Sequence, residues 1–132
     1  MTSSLPPFAA VVVAAGSGTR AGGAKQWRLL GGKPVVRWSV GALLKAGAED
    51  VIVVVSAGAG AEATEALNSL TGWRAVVGGA ARTDSVRAGL AALGGPDDRP
   101  VLVHDAARPF LSAAVIARCV SALDQADGAL PA

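Results

Sequence analysis

Four short, largely apolar runs punctuate the chain, and each is closed by glycine or a polar residue. The first, at 9–14 (AAVVVA), lies between Pro7 and Gly16. Continuous β-branched runs of this length read as strands buried on both faces. VIVVV at 51–55, a run at 73–77 ending at Gly78-Gly79, and VLV at 101–103 repeat the pattern. Between them the spacing changes to a helical one. Pro34 opens a helix to about Ala46 with Val35, Trp38, Ala42 and Ala46 on one face, and Gly47 stops it. A weaker helix covers 62–70. Thr83 or Asp84 caps a third, running to about Leu93, and Ser112 caps a fourth to about Ala126. Residues 15–25, with four glycines, are a loop.

Strands alternating with helices predict an α/β domain with a mostly parallel sheet and helices on both faces. Residues 1–8 are expected to be a flexible lead, and 9–132 the domain. The chain reaches Leu130-Pro131-Ala132 where a further strand could begin, so the fold is expected to be truncated at its C-terminus. In such sheets ligands sit beyond the carboxyl ends of the strands. Three loops leave those ends, at 15–25, 78–85 and 104–110, and they hold nearly all the unusual residues.

Composition narrows the class. At 132 residues and 52% apolar, the chain suits one domain with a real core. It contains no apolar run of about 18 residues, so nothing is expected to cross a membrane. Residues 1–8 lack the charged and apolar regions of a secretory signal. A cytoplasmic protein is the expectation. Cys119 is the only cysteine, which excludes an internal disulfide, and it reads as a small core residue. The net charge is +2, unevenly spread: residues 1–48 hold Arg20, Lys25, Arg28, Lys33, Arg37 and Lys45 and no acid. That segment favours an anionic ligand. A nucleic-acid surface is the competing reading, discounted because no aromatic stacking platform accompanies the cations.

Gly16-Ser17-Gly18-Thr19-Arg20-Ala21 matches G-x-G-x-x-G/A after a strand, a pattern with several meanings. A dinucleotide site needs an acid at the end of the second strand, and Val55-Ser56-Ala57 has none. A Walker loop is excluded by its missing pattern. What remains is a glycine loop whose backbone N–H groups approach phosphate, flanked by Arg20 and Lys25. The alternative is a plain turn with two solvated cations. At 78–86 a glycine turn enters a helix N-terminus, which attracts anions. Ser85 either offers its hydroxyl to a ligand or serves the helix itself, and Arg82 can anchor the loop. Asp105, at the fourth strand end, suits Mg²⁺ or a ligand hydroxyl. Arg108 reaches a phosphate or pairs with Asp105. His104 reads as structural, since a lone imidazole makes a poor metal site.

Together, VVAAGSGTR at 12–20, Lys25-Gln26, GGAARTDSVRAGL at 78–90 and VLVHDAARPF at 101–110 resemble the 2-C-methyl-D-erythritol 4-phosphate cytidylyltransferases of the non-mevalonate isoprenoid pathway. The resemblance implies a Rossmann-like nucleotidyltransferase fold, dimers, and Mg²⁺ or another divalent cation. It implies that CTP and a sugar-alcohol phosphate are the partners, with no nucleic acid or membrane involved. Ala14, Ala15, Gly16 and Gly18 would wrap the CTP, and Gly79 and Ser85 would contact the cytosine region. Arg20 and Lys25 would stabilise the transition state at the α-phosphorus. Asp105, Ala106 and Arg108 would hold the ribose end, the metal environment or the methylerythritol phosphate. Some relatives fuse this enzyme to a cyclodiphosphate synthase. Ribitol-5-phosphate cytidylyltransferases share these motifs, and a nucleotidyltransferase for another NTP or a non-catalytic nucleotide-binding module are further readings. The chain departs from the family pattern in a shorter stretch between Arg20 and Lys25, in Ala24 where a proline is usual, and in Ala80 where an acid is common.

Overall fold

The computed structural model describes residues 7–15, 27–79, 81–94, 99–106, 108 and 112–123. The elements follow in the order β1 (Ala9–Ala14), β2 (Leu29–Leu30), β3 (Lys33–Pro34), α1 (Val35–Lys45), β4 (Asp50–Val55), α2 (Gly60–Ala66), β5 (Trp73–Val77), α3 (Arg82–Ala92), β6 (Val101–Asp105) and α4 (Ala113–Leu123). Four strands form one sheet in the order β5-β4-β1-β6, every pairing parallel. The chain works outward from β1 through β4 to β5, then returns to the other side of β1 with β6. The strand order therefore reverses between β1 and β6, the position where open parallel sheets bind ligands.

All six residues of β1 are buried, because helices cover both faces of the sheet. Side chains alternate between the two faces. Ala10, Val12, Ala14, Val51, Val53 and Val55 share one core with Val36, Val40 and Leu43 of α1, Ala63 and Ala66 of α2, and Ile116 and Val120 of α4. Val11, Val13, Ile52 and Val54 face the other way, against α3 through Val86 and Ala92. Gly89 lets α3 lie close to that face: an added Cβ would stand 2.4 Å from Val11 Cγ1 and 3.0 Å from Val54 Cγ2. Cys119 is buried on α4. Among the described residues no helix is long and apolar enough to cross a membrane.

Several boundaries differ from the sequence reading. Phe8, assigned to the lead, belongs to the core, and its carbonyl accepts the Glu49 N–H at 2.8 Å. The buried face of α1 is Val36, Ser39, Val40 and Leu43, whereas Trp38 stands 39% exposed. Trp38 instead covers a hairpin absent from the sequence reading. Its indole N–H donates to the Leu30 carbonyl at 2.7 Å, and Lys33 Nζ lies 5.2 Å from the ring centroid. That hairpin, β2–β3, turns through Gly31 and Gly32, both at positive φ, as a two-residue hairpin loop requires. Helix α2 is shorter than 62–70 implied and ends at Ala66. Strand β6 runs two residues past Val103, because His104 and Asp105 pair in register with Val12 and Val13.

Candidate active site

Parallel pairing brings four strand ends to one edge of the sheet. Ala14 is level with Val55, Val55 with Val77, and Val13 with Asp105. The chain leaving each strand is then stitched to its neighbour. Ala106 N–H donates to the Val13 carbonyl at 2.9 Å, and Gly78 N–H to the Val55 carbonyl at 2.8 Å. The Ser56 hydroxyl, directly after β4, donates to the Ala15 carbonyl. The exit from β1, where the glycine loop begins, is thus held from the β4 side. Ala14, Ala15, Asp105 and Ala106 lie at the switch between β1 and β6. Gly16, Gly18, Arg20 and Lys25 lie outside the described residues.

The middle loop folds back on its helix. Gly79 is exposed, and its α-hydrogen faces Asp84: an added Cβ would come within 2.3 Å of Asp84 Cβ. Asp84 Oδ2 accepts the Ala81 N–H at 3.3 Å, so Asp84 is the third helical residue reaching back to the cap, not the cap itself. Ser85 is only 2% exposed and seats its Oγ beneath Gly78, where an added Cβ would meet it at 2.4 Å. Its hydroxyl therefore packs against the glycine turn instead of standing open at the surface.

Arg82 opens α3 and reaches across the strand ends to Asp105, with Arg82 Nη1 4.0 Å from Asp105 Oδ2. Both side chains are about half exposed, and such a pair contributes about 0–1 kcal/mol. A cation in the first helical turn opposes the helix dipole, so an anion placed here would be welcome.

The last loop closes at once. Arg108 N–H donates to the Asp105 carbonyl at 3.1 Å, a tight turn with Asp105 and Arg108 at its two ends. The Arg108 carbonyl accepts two bonds, from Ser39 Oγ of α1 at 2.9 Å and from His104 Nε2 at 2.8 Å. A carbonyl only accepts, so Nε2 carries the hydrogen. Ser39 is fully buried, and a buried hydroxyl without a partner would cost about 1–3 kcal/mol. His104 also lies 3.2 Å from Ser39 Oγ. Burial pushes its pKa below the ordinary 6.5, outweighing the Arg108 carbonyl and Asp105, which favour the charged form. Arg108 and Arg82 add to the lowering. His104 is a structural imidazole. Ser39, Ser56 and the Arg82–Asp105 pair were missed or left open in the sequence. Their one signal there is a hydroxyl or charge set in or beside an apolar run.

Comparison with known proteins places this edge in context. The family model for 2-C-methyl-D-erythritol 4-phosphate cytidylyltransferase, IspD, matches residues 8–132. The bifunctional enzyme IspD/IspF of Caulobacter vibrioides (strain NA1000 / CB15N) is 57% identical over 128 residues, 95% of this chain and 34% of that protein. Its counterpart in Erythrobacter litoralis is 47% identical, over 98% of this chain and 34% of that protein. The chain therefore spans about a third of the length of these relatives. The structure of 4-diphosphocytidyl-2C-methyl-D-erythritol synthase from Anaerococcus prevotii DSM 20548 superposes with a TM-score of 0.74 at 26% identity, covering 89% of this chain and 51% of that one. A nucleotidyl transferase from Methanothermobacter thermautotroptrophicus gives 0.70 at 29% identity, covering 87% and 57%. On a family match across nearly its whole length, the chain belongs to the 2-C-methyl-D-erythritol 4-phosphate cytidylyltransferase family.

Proposed function

We propose that this chain forms the CTP-binding part of a cytidylyltransferase that makes CDP-methylerythritol and pyrophosphate from CTP and methylerythritol phosphate. The observation that carries the reading is that the described parts of the three family motifs, Ala14-Ala15, Gly78-Gly79 and Asp105-Ala106, leave the sheet at the same edge. Ala14 and Ala15 bind the nucleotide from the end of β1, and the family resemblance adds Gly16 and Gly18 to them. Gly79 offers exposed backbone to the base, and Ser85 keeps the glycine turn in shape from below. The family resemblance gives Arg20 and Lys25 the role of stabilising the transition state at the α-phosphorus. Asp105, Ala106 and Arg108 hold the ribose end and the acceptor phosphate.

The chemistry asks little of a general base. An acceptor phosphate oxygen attacks the α-phosphorus in line, the bond from that phosphorus to the β-phosphate bridging oxygen breaks, and pyrophosphate leaves. A phosphate monoester is already anionic near pH 7, so positioning and charge stabilisation supply the rate. Among the described residues no group of three His, Cys, Asp or Glu side chains is arranged to hold a metal ion. One strand-end carboxylate, Asp105, next to a triphosphate nevertheless suits Mg²⁺, which binds through one or two carboxylates and substrate phosphates. When bound, Mg²⁺ neutralises charge on the triphosphate. Arg82, half exposed and 4.0 Å from Asp105, would add positive charge beside the carboxylate that would hold the cation. The working protein is a cytoplasmic homodimer, acting on small anions without nucleic acid or membrane.

Calorimetric titration with CTP, ATP, GTP and UTP in the presence of Mg²⁺ tests the reading, with selective CTP binding expected. A folded chain that binds no nucleotide, or prefers another, would sink it. Turnover with methylerythritol phosphate against ribitol 5-phosphate then decides the acceptor. The names of the relatives favour a second reading, in which this chain is one part of a bifunctional enzyme. The length of the native reading frame settles that point.

A further inference from the structure

We infer that Ser39 and His104 are positioning residues of the strand-end site: together they clamp the Arg108 carbonyl and so fix where the Arg108 side chain stands. The inference rests on the cytidylyl reading above. Among the described residues the Ser39 hydroxyl meets the Arg108 carbonyl and the His104 ring. The neighbours of Ser39 on the buried face of α1 are the apolar Val36, Val40 and Leu43. Yet the hydroxyl crosses to a loop 69 residues away and bonds the carbonyl of one residue there. His104 meets the same oxygen from β6.

The two ends of the turn are fixed differently. Asp105 is held by its pairing with Val13, and Ala106 by its bond to the Val13 carbonyl. Arg108 lies past that pairing. Its amide closes the turn onto Asp105, and its carbonyl depends on the two side-chain donors. Removing them leaves Asp105 in place and frees Arg108 to swing, a loss of preorganisation and not of the fold. An arginine whose aim decides how a phosphate is gripped is sensitive to such loosening.

The test is a mutant cycle. CTP with Mg²⁺, and then methylerythritol phosphate, are titrated onto the wild-type chain and onto Arg108→Ala. The ligand that Arg108→Ala weakens becomes the reporter. Ser39→Ala and His104→Phe, which keeps a ring but has no N–H, should each raise the reporter Kd about five- to tenfold, the usual effect of one lost hydrogen bond. In the Arg108→Ala background the same substitutions should cost nothing further, because their effect runs through the arginine. Ser39→Cys, of similar size with a weak donor, should fall between. If Ser39→Ala does not fold, His104→Phe carries the test. Folded variants with a lower Tm and unchanged Kd, or penalties that simply add to that of Arg108→Ala, would overturn the inference. An Arg108→Ala chain that binds both ligands normally would do the same. A wild-type chain that binds neither ligand would instead overturn the cytidylyl reading beneath it.

Discussion

His104 sits where burial and charge oppose each other. Around it stand Asp105 and the Arg108 carbonyl, which favour protonation, and Arg108 and Arg82, which resist it; burial is the largest influence and lowers its pKa. A base with a folded pKa below its unfolded one binds fewer protons when folded, so stability rises with pH through that window. The stability is complete above the ordinary value of 6.5 and is lost as pH falls from there toward the lowered folded pKa. Urea unfolding at pH 7.5 and pH 5.5 should therefore give a lower midpoint at the acid pH, and His104→Gln should shrink the difference. An identical difference in the variant would assign the acid sensitivity to other groups. Arg20 belongs to the same scale but to the chemistry. In a turnover-competent protein, Arg20→Ala should lower kcat by about 10²–10³, as loss of a preorganised transition-state donor does. Normal turnover would remove it from the role the family resemblance implies.

Among the elements, α3 depends on one missing side chain. With a Cβ at Gly89 only 2.4 Å from Val11 Cγ1, Gly89→Ala forces α3 off the sheet or displaces two core valines. Overpacking of this kind costs about 1–3 kcal/mol, more than the roughly 1 kcal/mol of helix propensity that alanine returns. A thermal melt should show a lower Tm despite the better helix former, and a raised Tm would mean that the face is more loosely packed than drawn. Which elements could be read from sequence follows from where their information lies. The strands β1 and β4 were plain because buried parallel strands write themselves as unbroken apolar runs. Asp105 was not seen as strand, because its pairing partner Val13 is 92 residues away and a charged residue carries no local strand signal. The hairpin at Leu29–Leu30 and Lys33–Pro34 left a usable sign, Gly31-Gly32 between two residue pairs, which the stronger helix signal of Pro34 obscured. Trp38 was placed inward because large aromatics usually are, yet Val36, Val40 and Leu43 offered an equally periodic stripe. The motif residues were legible as a site because they are contiguous in sequence. Ser39 and Ser56 were not, since each earns its meaning from a carbonyl 69 or 41 residues away.

Across the whole molecule, charge is divided by sequence in a way the fold redistributes. The first 48 residues carry six of the twelve basic side chains and none of the ten acidic ones. Read linearly, that is one positive field around the glycine loop. In the structure Lys33 lies on the hairpin, Arg37 and Lys45 lie on α1, and Arg28 directly precedes β2; Arg37 and Lys33 show what such cations do there. Arg37 donates to the Ala66 carbonyl at 3.2 Å, the Asn68 carbonyl at 2.6 Å and Ser69 Oγ at 3.1 Å, tying α1 to the end of α2. Lys33 stacks over Trp38. In sequence, the loops at 15–25, 78–85 and 104–110 carry Arg20 and Lys25, then Arg82 and Arg108. Two consequences separate. CTP affinity should fall with salt, because a polyanion meeting several cations at a half-exposed edge is screened over a Debye length of about 8–10 Å near physiological ionic strength. The slope should be set by the strand-end group alone. Arg37→Gln should thus lower Tm, having lost its hold on the α2 carbonyls, while leaving both the CTP Kd and its salt slope unchanged. Arg82→Gln should flatten that slope with little effect on Tm, since its pair with Asp105 contributes little to stability. Titrations at 50 and 300 mM KCl measure both. If Arg37→Gln flattened the slope as much as Arg82→Gln, the positive field would be a property of the whole N-terminal third, and the division of its cations between structural and ligand-facing roles would be wrong.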